Sequence, residues 1–256
     1  MRLDPPDHIS YSYLHLLACP YSAFLRYEAA IKSDSSGYLV LGTSLHNVLE
    51  YAHKEQDFDL KSWVRMFKEQ YNGLIVEEDV VINYPQLKKL EADGVDILEV
   101  YNGQVQSGKI TKRPVDVEKE FSIPFLGTKI VGRIDKVEEG TVIDYKSGSF
   151  KPDAWSLRHN IQLTVYYWAH YEIYGFYPKI LRWHHLRTGE FLDTERTIDD
   201  IDQVKRMIDN ALKMRENGIF FRVYNDSVCG NGTGRGIQCL SLIHILRAHE
   251  TREDLV

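Results

Sequence analysis

The chain has 256 residues, 43% apolar and 27% charged, which is enough to bury a full core and excludes wholesale disorder. Against 37 Asp and Glu stand 31 Lys and Arg, a formal net charge of −6, so a globally basic nucleic-acid coat is excluded while a local patch is not. No window approaches the roughly eighteen uncharged apolar residues of a membrane span, the opening MRLDPPDHIS lacks the build of a signal peptide, and three cysteines do not make a secreted disulfide framework, so a reducing cytoplasm is expected.

Residues 9–27 carry apolar side chains at helical spacing, with Ser10 or Ser12 as the cap. Residues 32–37 read as a loop. Residues 39–54, containing LGTSLHNVLEYAH, are helical with Gly42 and Thr43 near the start. Two more helices are expected over 60–71 and 84–101, followed by a polar link over 103–114. The period then shortens: 115–125, 129–137 and 141–145 are short β-rich runs divided by turn residues. A helix is expected over 153–174, ended by Gly175 and Pro178, then a strand over 179–186, a Thr188-Gly189 turn and a returning strand over 191–197. The last helix, 199–217, has Asp199 as candidate cap and Gly218 as stop. No internal repeat is visible. Helices, then an antiparallel meander, then helix, strand and helix make an α/β or α+β domain with its sheet in the second half.

The most informative stretch is KIVGRIDKVEEGTVIDYKSG, residues 129–148. With Glu139-Gly140 as a two-residue hairpin loop, Glu138 pairs Thr141, Val137 faces Val142, Lys136 faces Ile143 and Asp135 faces Asp144. Alternation then puts Arg133, Asp135, Asp144 and Lys146 on one face. Two opposed carboxylates sit roughly 5 Å apart at Cβ. That is unfavourable for two free anions and favourable around a divalent cation; Mg²⁺ commonly takes one or two protein carboxylates together with substrate phosphate. Lys146, two residues after Asp144, reaches the same place, and a nearby cation would favour its neutral form, which allows a general-base role.

Charge is uneven: residues 146–190 hold six Lys or Arg and three Asp or Glu, which suits an anionic substrate handled at one place. Gln162 and Tyr166, four apart, share one helix face and suit a phosphodiester backbone. Nine aromatics between Trp155 and Trp183, amid Lys151, Arg158 and Arg182, have the composition of a single-strand stacking groove, although most read individually as core.

The segments GTSLHNVLE, VEKEF, GRIDKV, IDYKSG and QLTVYY, in this order, resemble the RecB-like branch of the PD-(D/E)XK nucleases. The resemblance spans roughly residues 9–229 and extends to the nuclease domains of bacterial recombination exonucleases and to the CRISPR adaptation nucleases. It implies a restriction-endonuclease-like α/β core, a central mixed β-sheet flanked by helices, with an N-terminal helical part. It further implies His46, Asp135, Asp144 and the Tyr145 carbonyl as metal ligands and Lys146 as the catalytic lysine. By the same resemblance Glu120 is the upstream strand acid, and Gln162 and Tyr166 are DNA-binding; Arg133, from its place on the hairpin face, and Lys151 and Arg158, from the basic and aromatic composition around them, are further DNA-binding candidates. The implied cofactor is Mg²⁺ or Mn²⁺. The implied partners are DNA, single-stranded or as duplex ends, and a recombination or helicase protein. The implied activity is exonucleolytic phosphodiester hydrolysis in DNA recombination, repair or phage replication.

The cysteines depart from the pattern. Cys19, in ACPYSAFLRY, resembles the first iron–sulfur ligand of cluster-bearing relatives, but only Cys229 and Cys239 follow, and a 4Fe-4S cluster takes four thiolates. A cluster is therefore not supported in this chain, although a longer native form could hold one. Residues 230–256, with CLSLIHILRAHETREDLV, are out of character with the rest and read as a non-native or disordered tail after a nuclease domain over 1–229. A different class of function, a non-catalytic DNA-binding or assembly subunit on a decayed nuclease fold, is disfavoured by the complete set of acid, acid-x-lysine and histidine. A metal-free hydrolase lacks any nucleophile–base pattern.

Overall fold

A computed structural model describes residues 6–17, 19–30 and 35–221. They divide into two compact units. In the smaller, the two-residue strand β1 (Ile9–Ser10) leads into helices α1 (Tyr11–Leu16) and α2 (Pro20–Tyr27). Ser10 is the cap of α1, its Oγ accepting from Tyr13 N at 3.3 Å. The helix expected over 9–27 is broken because Pro20, without an N–H, suits the first turn of a new helix and not the interior of an old one. This unit is closed by the chain's later residues: Arg215 forks onto Glu28 at 2.6 and 2.9 Å, and the rings of Phe24 and Phe220 lie 4.8 Å apart. Cys19 is buried just ahead of α2. Cys229, Cys239 and the boundary expected at 229/230 lie outside the described residues.

The larger unit begins with helices α3 (Gly37–Lys54), α4 (Leu60–Glu77) and α5 (Tyr84–Gln106). Each opens on a side-chain cap, Ser36, Asp59 and Asn83 respectively, which satisfies an otherwise orphaned N–H. They share a core of Leu41, Leu45, Leu49, Trp63, Phe67, Leu98 and Tyr101, all fully buried. Strands β2 (Asp116–Phe125), β3 (Thr128–Glu138) and β4 (Thr141–Lys146) follow. The β3–β4 turn has Gly140 at φ +70°, and the register is the expected one: Lys136 with Ile143, Val137 with Val142, Glu138 with Thr141.

Helix α6 (Ala154–Arg158) and helix α7 (Ile161–Tyr174) replace the one helix expected over 153–174. Asn160 interrupts it by accepting from Leu163 N at 3.0 Å, which restarts the helix. Strand β5 (Ile180–His185) then runs parallel to β4, and β6 (Glu190–Thr194) antiparallel to β5. A parallel return needs a crossover of a dozen residues or so, which α6 and α7 supply. The strand order is β3-β4-β5-β6, with β2 paired to β3, a mixed sheet. In the smaller unit β1 also pairs with β3, whose first residues belong there. The last helix, α8 (Ile198–Glu216), starts from Thr197, whose N and Oγ1 both donate to Asp200 Oδ2, and not from Asp199. Among the described residues no helix is long and apolar enough to cross a membrane.

Strand β4 fixes the site. Its residues 141–145 are all buried, as befits a strand covered on both faces. Ile143 and Tyr145 join the core of α3, α4 and α5. Asp144 and Lys146 alternate to the other face, within reach of α7.

Candidate active site

His46, on α3, brings its Nδ1 to 3.2 Å from Glu118 Oε1 and 3.7 Å from Asp135 Oδ1. These three residues each offer a ligand atom within 4.8 Å of the others. The second oxygen of Asp135 accepts from Tyr145 N at 2.6 Å, which ties β3 to β4 where the two acids come together. Asp144 is fully buried and takes Lys146 Nζ at 2.8 Å on Oδ1. Its Oδ2 lies 2.7 Å from the same ammonium yet off the axis of a hydrogen bond, and it has no hydrogen-bond partner among the described residues. Lys146 also donates to Gln162 Oε1 at 2.9 Å, and Gln162 Nε2 to the Tyr166 hydroxyl at 3.0 Å.

The electrostatics follow from an excess of carboxylates in a dry place. Burial pushes Asp144 up to about 6; the Lys146 ammonium opposes that shift and Asp135 adds to it. Burial likewise raises Asp135, against His46 and Lys146. For His46, burial opposes charge, but Asp135 and the hydrogen-bonded Glu118 outweigh it and raise the imidazole to about 9. The imidazolium thus stands where a cation is wanted. An imidazole nitrogen, carboxylate oxygens and one buried, unbonded Asp144 oxygen form a donor set that fits a divalent ion.

The sequence offers Glu120 as the upstream acid; in the structure it is Glu118, not Glu120, whose carboxylate lies beside His46. The Glu120 side chain is 79% exposed and meets Arg133 Nη2 at 3.3 Å, whereas that of Glu118 is 8% exposed, against His46. Simple alternation puts 118 and 120 on the same face. Glu118 instead has φ +47°, a left-handed backbone within the strand, and this single residue turns its side chain away from the face of Glu120. Nothing in VEKEF announces it: the left-handed position carries neither Gly nor Asn.

The DNA-contact candidates are scattered. Gln162 faces Lys146, and Tyr166 is buried with its ring edge-on to Phe121, 6.1 Å away, so neither forms an open stacking surface. Arg158 forks onto Asp200 at 2.9 and 3.0 Å, and Lys151 pairs with Glu190 at 2.7 Å. Arg133 is half-exposed beside Glu118 and Glu120. Many of the nine aromatics are core: Tyr166, Tyr167, Trp168 and Trp183 are buried, while Trp155, Tyr171 and Phe176 are exposed.

No curated protein matches the chain. A solved chain from Eubacterium rectale that carries the provisional name of exonuclease shares the fold, with TM-score 0.57 and 13% identity over 86% of this chain and 85% of that one. The architecture is that of a restriction-endonuclease-like α/β core, a mixed sheet flanked by helices. The family model of the PD-(D/E)XK nuclease superfamily matches residues 8–230. With a carboxylate-rich hairpin, a lysine two residues beyond the second acid, and that match along most of its length, the chain belongs to the PD-(D/E)XK nuclease superfamily.

Proposed function

We propose that the protein is a Mg²⁺- or Mn²⁺-dependent DNA exonuclease of the RecB-like branch, acting in recombination, repair or phage replication. The observation that carries the reading is the clustering of His46, Glu118 and Asp135 within 4.8 Å, with Asp144 and Lys146 next to it. Nucleases of this superfamily depend on divalent metal, and the residues that would hold it here are His46, Glu118, Asp135, Asp144 and the Tyr145 carbonyl. When bound, such an ion neutralises charge on the scissile phosphate and lowers the pKa of water.

The chain's own groups do the rest. Lys146, aimed by Asp144 on one side and Gln162 on the other, positions the attacking water and offsets charge developing on the phosphate. Tyr166 holds the Gln162 amide, so the glutamine acts on the lysine before it acts on DNA. The buried Tyr145 N–H fixes one Asp135 oxygen and leaves the other to face His46.

The test is digestion of end-labelled linear DNA beside covalently closed circular DNA, with Mg²⁺ or Mn²⁺. Nucleotide release from the linear substrate alone is the expected result. Cutting of the circle overturns the exonuclease assignment, and failure to cut either DNA with either metal overturns the nuclease. A folded Asp144→Asn variant should cut neither.

A further inference from the structure

Three successive peptide carbonyls lead out of β4, and each meets its own donor. Leu186 N donates to Lys146 O at 3.0 Å, Arg187 Nε donates to Ser147 O at 2.6 Å, and His185 Nε2 lies 3.0 Å from Gly148 O. A carbonyl only accepts, so His185 carries a proton on Nε2; its Nδ1 lies 2.8 Å from the Thr188 hydroxyl, which itself donates to Glu190 Oε2 at 2.9 Å. The Arg187 guanidinium is held in turn by Asp93 of α5, Nη1 to Oδ2 at 2.9 Å, with both side chains about three-quarters covered.

The first of these bonds is ordinary: Lys146 is the last β4 residue in register with β5, opposite His185, and the ladder carries one residue on. The other two are made by side chains. Beyond Lys146 the chain reads Ser147-Gly148-Ser149, small residues with little stiffness of their own. Two side chains, at the end of β5 and in the turn after it, therefore extend the ordered backbone past Lys146. The same loop passes close to α3 one turn before His46: a Cβ on Gly42 would stand 3.4 Å from Ser147 Oγ.

Building on the nuclease reading, we infer that Arg187, assisted by His185, is a positioning residue for Lys146. It pins the peptide that follows the lysine and thereby keeps the ammonium between Asp144 and Gln162. Arg187 uses Nε on Ser147 and Nη1 on Asp93 at once, a two-pronged grip that a lysine's single ammonium reproduces only in part. A displacement of about 1 Å at a reacting group costs on the order of a hundredfold in rate.

The experiment is steady-state cleavage of linear DNA with Mn²⁺ by the wild type, Arg187→Met and Arg187→Lys. The methionine variant should lose roughly ten- to a hundredfold in kcat, with KM and the salt dependence of DNA binding unchanged, and the lysine variant should fall between. A raised KM with a shallower salt slope would make Arg187 a DNA contact and overturn the proposal. A lowered melting temperature with full kcat per folded molecule overturns it as well. Should Arg187→Met not fold, Asp93→Asn loosens the same guanidinium and should lower kcat by a smaller factor; full kcat there also counts against the proposal. Backbone amide order parameters of residues 147–149, read without DNA or metal, separate the two levels. They should fall in Arg187→Met, and unchanged order rejects the brace even if the wild type is a nuclease. A wild type that cuts nothing, with order still lowered by the substitution, rejects the nuclease and leaves the brace as a structural fact.

Discussion

Asp135 and Lys136 are neighbours in sequence, both almost wholly buried, and β3 sends them to opposite faces. The two faces handle buried charge differently. Lys136, 1% exposed, has a carboxylate of its own: Glu138 Oε1 stands 2.8 Å away, and the Thr111 carbonyl takes another of its protons. Asp135 shares its surroundings with Glu118 and Asp144, three carboxylates facing one imidazole and one ammonium, with the half-exposed Arg133 guanidinium 3.6 Å from Glu118 at the rim. One face is balanced within itself; on the other, Asp144 keeps a buried oxygen with no hydrogen-bond partner among the described residues, a place that suits an added cation. Buried charge that serves the fold arrives with its partner, whereas buried charge that serves chemistry is left in excess of one sign.

The largest test of that contrast is to neutralise an acid on the unbalanced face. Asp135→Asn or Asp144→Asn should cut the cleavage rate by a thousandfold or more, about 4 kcal/mol in the barrier. Without metal the melting temperature should hold or rise, because a repulsive buried charge is gone. Rates with Mn²⁺ and melting curves of the same preparations check both halves, and a folded variant with full activity refutes the assignment.

On the balanced face the expected sign is opposite. Glu138→Gln strands Lys136 without its anion and should cost about 3 kcal/mol of stability. Adding Lys136→Met removes the stranded charge and should restore most of the loss, with cleavage per folded molecule unchanged throughout. Urea denaturation of the single and double variants reads the cycle.

Smaller still is the effect of acid on His53, which burial, and then the charge of Lys136, lower to about 4. Its Nδ1 faces the Lys112 carbonyl at 3.2 Å and its Nε2 the Tyr101 hydroxyl at 2.8 Å, so the folded protein holds it neutral. Because the unfolded chain binds this proton near the ordinary value of 6.5 and the folded protein only near 4, stability is full above 6.5 and falls as the pH drops through the window between them. Between pH 6.5 and 5 the loss is about 2 kcal/mol. Asp144, raised to about 6, works in the other direction, so the measured quantity is the difference in slope between wild type and His53→Gln in metal-free urea melts. Equal slopes would show that His53 is not held neutral. The smallest change is Tyr101→Phe, which removes the donor to His53 and the bond to the Tyr145 hydroxyl at 2.7 Å and should cost about 1 kcal/mol.

Much of this was legible from residues alone, and the reasons differ by element. The β3–β4 hairpin is local: a glycine turn and period-two alternation set its register, and with it the meeting of Asp135, Asp144 and Lys146. His46 entered through resemblance, since one histidine on a helix announces nothing by itself. Glu118 was hidden because a left-handed residue breaks the alternation used to read the strand. The contact of Gln162 with Lys146 stayed hidden for a related reason: helix spacing says which side chains share a face and not that a lysine sixteen residues earlier will meet them. The parallel placement of β5 was equally unreadable, because periodicity carries no strand order.

The site's parts differ greatly in chain separation. Asp135 and the Tyr145 amide are ten residues apart, while His46 and Glu118 are separated by 72. Local pairings close readily during folding, and distant ones carry the larger entropy of loop closure. A newly made chain that has formed only its hairpin therefore holds two acids without their imidazole and third carboxylate. On the nuclease reading, the metal-binding group is complete only when the whole fold has closed, so a half-folded chain would have no competence to cut.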